Sequence, residues 1–381
     1  MSWDIPLPYV VSHPAPLQWN GWWLGLSLLV MLCVAGGCSL WFWLKDPLIL
    51  LLTFGAVITI TMLFLGIAGW RLFSYGVNAE HAESMEQQNE WHQAKWQEWA
   101  QSGLNIIDFS YIFPAEIPHP FEHRTLVNNE VAFSLPSRPP LLYLFEELLA
   151  PLTASFRMLR GPLDVYLPCN DDESTRRAFA LTWEKLGLSL SAVSDFFSGA
   201  VTNPWADQTT QWLNDGNKNA KLLIFFQWPE NDEPRIHTDG AIAWLIAANE
   251  SGSVRSRCRL HRPVTGTNDQ AADNAKLLLK YQTSAISVSD QWYNKNAIAA
   301  QNGLTLKRCR QLRVQNPASN PPVPEHQFIP YWLGKPGPAT DYFTITLMML
   351  MAEYRHAPQS LVLSQAEALV FATVSPGEDI S

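Results

Sequence analysis

Two long uncharged stretches dominate the hydrophobic pattern of the chain. Residues 22–44 and 47–70 contain no Asp, Glu, Lys or Arg, and about 18 consecutive apolar residues already indicate a membrane helix. Only Lys45 and Asp46 separate the two stretches, and Pro47 suits the first turn of a second helix. The pattern therefore predicts a transmembrane helical hairpin over residues 22–70, preceded by an N-terminal tail at residues 1–21.

Tryptophans stand near the ends of both stretches, where an indole ring can lie in the membrane interface with its N–H in water. A buried hairpin of a soluble core and a cleaved signal peptide are the alternatives. The complete lack of charge disfavours the first, and the lack of a basic segment before the first stretch disfavours the second. We expect the lipid bilayer as a partner, with these interface residues: Trp22, Trp23, Trp41, Trp43 and Trp70.

Two spans place both termini on the same side of the membrane. Lys45 is the only cation at the hairpin tip, whereas Arg71 and Lys95 follow the second span. Because cationic flanks favour the cytoplasmic side, the charges favour a cytoplasmic soluble domain. The odd number of cysteines after the hairpin, Cys169, Cys258 and Cys309, also suits a reducing compartment.

After the hairpin, residues 71–104 have the composition of a helical neck. Trp91, Trp96 and Trp99 occupy one broad side of that helix. They either seat the neck on the following domain or form a partner surface, and the sequence leaves both open.

Residues 105–381 alternate between strand and helix patterns, which predicts a mixed α/β sandwich. The similar order of elements in its two halves suggests a duplication without a repeat at the level of residues. Predicted strands lie at 163–167, 221–228, 240–248, 257–261, 286–288, 360–363 and 369–374. Predicted helices lie at 141–159, 174–186, 208–213, 270–282, 294–301 and 339–354, with a surface loop at 310–324.

The chain lacks the common catalytic motifs. It has no P-loop, dinucleotide-binding turn, nucleophile elbow, zinc helix or Cys-x-x-Cys pair. Cys169 lies between a predicted strand and helix, but the acids Asp171, Asp172 and Glu173 that follow it disfavour a thiolate. We therefore expect no catalytic residue, no metal and no cofactor. The net charge of −9 is spread along the chain, so nucleic acid is not an expected partner either.

Two stretches resemble a family of bacterial inner-membrane proteins found with type VI secretion genes. The first, residues 221–264, contains His-Arg-Pro-Val at 261–264, and the second, residues 333–376, begins with Leu-Gly-Lys-Pro-Gly-Pro-Ala. The soluble part of that family resembles the thiolase, or β-ketoacyl synthase, fold. The resemblance therefore implies a thiolase-like domain held at the inner membrane. The charges described above favour the cytoplasmic side for that domain.

The resemblance implies a condensing-enzyme scaffold without its chemistry, because a working member needs a nucleophilic Cys at the start of a buried central helix, with two His, or His and Asn, converging on it. We expect a non-enzymatic accessory protein of type VI secretion that binds an effector or an apparatus component. The candidate contacts are the three neck tryptophans, Tyr331 and Trp332, although Tyr331 and Trp332 equally suit a covering of the core. The alternatives are an immunity protein against a type VI toxin and a divergent thiolase-like acyl transferase that uses Cys169.

Overall fold

The structure is a computed structural model of the chain. It describes residues 3, 5–6, 8–115, 117, 132–133, 135, 140–159, 161–167, 173–198, 204–216, 219–227, 237–248, 255–318, 320–365 and 368–377.

Two long helices, α1 (Asn20–Leu44) and α2 (Pro47–Gln101), follow the N-terminal segment. Lys45 ends α1 in a left-handed conformation, and the Asp46 carboxylate accepts a hydrogen bond of 3.0 Å from the Leu48 N–H at the start of α2. Both helices are long and apolar enough to cross a membrane, and their apolar side chains are largely exposed. The second helix continues without a break from the apolar stretch through the neck.

Close packing of α1 and α2 depends on one glycine. A side chain at Gly37 would overlap Thr53, whereas the space beside Gly36 is open. The two helices are therefore in close contact at Gly37 and Thr53, where a small residue permits such an approach.

The N-terminal segment runs beside α2. The backbone of Tyr9 exchanges two hydrogen bonds of 2.9 Å with the Asn89 side chain, and His13 contacts Glu86 at 2.9 Å. These residues belong to a compact unit that covers Ile5–Lys95.

Trp3 belongs instead to the second compact unit, which comprises Met1–Asp4 and Trp96–Ser381. Its Nε1–H donates to the Pro263 carbonyl at 3.0 Å, and its ring meets Trp99 edge-on at 5.5 Å. The Arg262 guanidinium lies 4.2 Å from the centre of the Trp99 ring. The start of the chain and the end of α2 are thus held on the same domain.

That domain is built on a single mixed sheet of eleven strands. In chain order the strands are β1 (Gly103–Ile112), β2 (Leu163–Leu167), β3 (Val193–Ser198), β4 (Ala220–Gln227), β5 (Gly240–Ile246), β6 (Cys258–His261), β7 (Val264–Thr267), β8 (Asp290–Tyr293), β9 (Glu325–Phe328), β10 (Gln359–Gln365) and β11 (Ala368–Pro376). The helices are α3 (Leu141–Leu149), α4 (Thr153–Met158), α5 (Glu173–Lys185), α6 (Trp205–Asn214), α7 (Ala271–Tyr281), α8 (Ile298–Gln315), α9 (Ile329–Leu333) and α10 (Thr340–Arg355).

The sheet is a duplication. Its first half has the strand order β3-β2-β4-β5-β1 and its second half the order β9-β8-β10-β11-β6. In each half the first three strands of that order are parallel, and the fourth is antiparallel to both of its neighbours. The halves join where β1 pairs with β6, and β7 adds to β11 outside the duplicated pattern. The two halves repeat in topology, although no residue-level repeat is visible in the sequence.

Strands β4 and β5 are covered on both faces. Leu222 and Ile224 of β4 pack in one hydrophobic cluster with α3, α4 and α5. Leu223 and Phe225, which point to the opposite face, pack in a second cluster with α6 and α10. Burial on both faces explains the continuous apolar run of β4.

Helix α10 is the buried central helix of the domain. Every residue from Tyr342 to Ala352 is buried. A helix that is apolar on all sides in this way belongs to the interior of a domain rather than to its surface.

Two of the elements predicted for the second half are corrected by the structure. The predicted strand at 286–288 is wrong, because β8 lies at Asp290–Tyr293 and begins with buried polar residues. The predicted loop from residue 310 is also wrong, since α8 continues to Gln315. The buried Arg308 stabilises that helix, because its guanidinium donates to the carbonyls of Ile286, Val288 and Pro322 at 2.6, 3.2 and 2.7 Å, respectively.

Candidate functional site

The first turn of α10 lies at the carboxyl end of β4. The Gln227 side chain accepts a hydrogen bond of 2.7 Å from the Ala339 N–H and donates to the Thr238 carbonyl at 2.8 Å. A side chain at Gly337 would overlap Gln227. The Pro-Gly-Pro-Ala sequence at 336–339 thus lets the chain approach β4 closely before the helix begins.

The same turn contacts the carboxyl end of β10. Asp341, at the second position of α10, accepts a hydrogen bond from the side-chain amide of Gln365, the last residue of β10. The neighbouring Ser364 is fixed by Asn294, which follows β8: the amide donates to the Ser364 carbonyl at 2.9 Å, and its oxygen accepts from the Ser364 N–H at 3.1 Å. Carboxyl ends of parallel strands from both halves therefore meet at the start of α10, the kind of position where α/β proteins bind ligands.

Burial raises the pKa of the Asp341 carboxyl to about 6, and the hydrogen bond from Gln365 opposes that rise. Asp341 as a whole residue is partly buried. A carboxyl group with a pKa near 6 exchanges a proton readily close to neutral pH, as a general acid or base requires.

Aromatic rings of β4 and β5 pack against the first turn of α10. The ring of Tyr342 stacks on Phe225 at 4.7 Å and lies 5.7 Å from Trp244. Burial, with the nearby Asp341 as the smaller cause, raises the pKa of the Tyr342 hydroxyl, which is therefore neutral at physiological pH. This packing fixes the first turn of α10 against β4 and β5.

The described residues place no thiol at the start of either inner helix, α6 or α10. Cys258 is fully buried with its Sγ 3.5 Å from the Met349 carbonyl, and burial raises the pKa of this thiol, so it is not a nucleophile. Cys169, the candidate considered from the sequence, lies outside the described residues. No group of three metal-ligating side chains occurs in the part of the chain that the structure describes.

The tryptophans predicted to bind a partner lie in different environments. Trp91 is exposed, with the Lys95 ammonium 4.0 Å from its ring centre. Trp96 and Trp99 are half-buried and contact each other edge-on at 5.3 Å. Their role in partner binding stays a prediction, although Trp99 also contacts Trp3 on the domain.

Tyr331 and Trp332 lie in the short helix α9. Tyr331 packs edge-on against Phe328, whereas Trp332 is buried beside Trp292 and donates to the Gln327 side chain at 3.1 Å. A role for this pair in recognition stays a prediction as well. The five tryptophans predicted for the membrane interface lie near the ends of the apolar parts of α1 and α2.

Asp341 and Gln365 were not predicted as site residues from the sequence. They are 24 residues apart, and only the fold brings them together. One signal was present: Asp341 is the only charged residue between Lys335 and Glu353, in the first turn of an otherwise apolar helix.

No protein-family profile and no curated protein matches the chain. The similar solved structures include OleA of Xanthomonas campestris with bound cerulenin, at 12% identity and a TM-score of 0.43, over 74% of this chain and 98% of that one. An acetamide-bound OleA from the same organism matches at 12% identity and a TM-score of 0.41, over 72% and 99% of the two chains. A variant of that protein with lauric acid and lauroyl-CoA matches at 11% identity and a TM-score of 0.40, again over 72% and 99%.

The expected fold class is confirmed at its coarser level: the chain has a mixed α/β fold with a large mixed sheet. The predicted function is corrected. The expected non-enzymatic accessory role in type VI secretion is contradicted by the similar structures, which are those of OleA with bound cerulenin or lauroyl-CoA. That prediction followed from the membrane anchor, the missing motifs and the resemblance together.

Proposed function

We propose that the chain is a membrane-anchored, divergent thiolase-like enzyme that transfers acyl groups, with Asp341 as its general base. The observation that supports this proposal is the Asp341 carboxyl in the first turn of the buried central helix, which accepts a hydrogen bond from Gln365 and whose pKa burial raises to about 6. The acyl class of substrate follows from the thiolase-like character of the sequence and fold. Since a fold alone does not fix an activity, the site residue is what makes the proposal testable.

The proposed reaction needs no covalent enzyme intermediate. The Asp341 carboxylate accepts the proton of an acceptor hydroxyl or water while that oxygen attacks the carbonyl carbon of a thioester. The new carbon–oxygen bond forms as the carbon–sulfur bond breaks, and the departing thiolate receives the proton from Asp341. The side-chain amide of Gln365 holds the carboxyl in place throughout.

We further propose that α1 and the apolar part of α2 span the bacterial inner membrane, with both termini and the soluble domain in the cytoplasm. Two helices that are long, apolar and exposed support the spanning arrangement. The cations Arg71 and Lys95 beyond the second span, against Lys45 alone at the tip, support the cytoplasmic side.

The test is the turnover of lauroyl-CoA, a thioester that one structurally similar protein binds, by the purified full chain. We expect Asp341→Asn to reduce the rate by about 10²-fold or more, because the amide cannot accept the proton. The matched control is Asp273→Asn, which changes an exposed aspartate in the first turn of α7. Equal rates for the two variants, or no turnover by the unaltered chain, would contradict the proposal.

A further inference from the structure

A hollow lies between α1 and α2, on the side of the hairpin away from the Lys45 tip. It measures about 700 Å³, within the roughly 300–1,000 Å³ typical of small-molecule sites. Gly21 and Gly25 of α1 form one wall, and Leu63, Phe64 and Ile67 of α2 form the other. No heavy atom lies within 4 Å of a Cβ placed at either glycine, so these two positions keep the hollow open.

Aromatic rings line one end of this hollow, and a cation lies against one of these rings. Trp22 lines it and lies 6.1 Å from the ring of Phe64. The Arg71 guanidinium lies 4.7 Å from the centre of the Trp22 ring. Within the described residues, Arg71 has no ion pair and no hydrogen bond to a side chain, which leaves the donors of its guanidinium available.

We infer that this hollow binds one acyl chain of an anionic phospholipid, with the lipid phosphate at Arg71. The wall is largely apolar, as an acyl chain requires, and the cation next to Trp22 complements the negative headgroup. An arginine fork suits a phosphate through two parallel hydrogen bonds. This inference rests on the membrane anchor of the proposed function and is independent of the acyl-transfer reaction.

The charge of the site favours a lipid over a second copy of the hairpin. Between Ile5 and Arg71 the only acidic residue is Asp46, at the opposite end of the hairpin, and the next acid of α2 is Glu80. At about 1.5 Å of rise per residue, Glu80 lies some 13 Å farther along the helix than Arg71. The apolar spans of a second copy therefore offer Arg71 no negative charge, whereas a phospholipid does.

Native mass spectrometry of the full chain in detergent tests the inference, with titration by palmitoyl-oleoyl phosphatidylglycerol or by the phosphatidylcholine of the same chains. We expect one tightly bound phosphatidylglycerol per chain, preferred over phosphatidylcholine by about fivefold, the ratio that corresponds to one basic residue at a membrane surface. Arg71→Gln is expected to abolish that preference.

A pair of glycine substitutions, one that fills the hollow and one that does not, tests whether lipid occupies it. Gly25→Leu places a side chain in the hollow and is expected to lower lipid retention about tenfold, which corresponds to about 1.4 kcal/mol of binding free energy. Gly36→Leu is the control, because Gly36 also has open space around it but does not line the hollow. Equal lipid retention by the two variants, or a change of oligomeric state in Gly25→Leu alone, would overturn the inference. Carbonate extraction of membranes separates these results from a failure of the anchor itself.

Discussion

At Asp341, burial and a hydrogen bond act on the same carboxyl group in opposite directions. Burial favours the neutral acid and is the larger effect, whereas the Gln365 amide favours the carboxylate. The group therefore keeps a pKa of about 6 in the folded chain, above the 3.8 of an unperturbed aspartate. A carboxylate that is held this way costs stability at neutral pH and serves acid–base chemistry in return.

Removing the charge of Asp341 is expected to stabilise the domain. The folded pKa lies above the unfolded value, so the stability contribution of this group is present in acid and is lost as the pH rises through 6. Asp341→Asn should therefore raise the free energy of unfolding by about 1–2 kcal/mol at pH 7.5, after allowance for the partial exposure of the residue. At pH 4.5 the gain should be less than half as large. Urea unfolding at the two pH values measures both, and a gain that does not change with pH would show that the charge is not its cause.

Single residues could be predicted from the sequence where their role is local. Lys45-Asp46-Pro47 indicated a hairpin tip, and the structure ends α1 and begins α2 there. One of the two roles left open for Trp332 was to cover the core, and this residue is buried. Asp341 could not be identified as a site, because its environment comes from β10 and from the burial of α10, neither of which a local pattern contains.

The elements that were predicted correctly are those with strong periodicity or a continuous apolar run. Helix α10 and strand β4 lie within one residue of their predicted ends, since both are buried on all sides. Strand β8 was missed because it begins with Asp290 and Gln291, which are buried polar residues. Asp290 is paired with Arg355 and with Gln327, and Gln291 with Thr305, and the fold brings these residues together.

At the scale of elements, the hairpin determines on which side of the membrane the two ends of the chain lie. Trp3 is buried on the soluble domain, so both ends of the chain lie on one side of any membrane that α1 and α2 cross. A reporter that is active only in the periplasm is expected to be inactive both before Met1 and after Ser381, and active when inserted at Lys45. Activity at Ser381 would place the domain in the periplasm, and activity at one end alone would contradict the two-span arrangement.

At the scale of the whole molecule, the duplication was expected from the rhythm of strands and helices, but the strand order was not. The pairing of β1 with β6 joins residues more than 150 positions apart, and such pairing leaves no local pattern. Each half contributes the carboxyl end of a strand to the start of α10, through Gln227 and Gln365. The candidate site therefore exists only in the complete duplicated domain.

The pH dependence of acyl transfer tests the central claim most directly. We would measure kcat/KM for lauroyl-CoA with the full chain in phospholipid nanodiscs between pH 5 and pH 8. Because the general base acts as a carboxylate, the rate is expected to rise about tenfold per pH unit below the Asp341 pKa of about 6 and to level off above it. The rise should be absent in Asp341→Asn. An unaltered chain without turnover, or one whose profile is shared by that variant, would contradict the account.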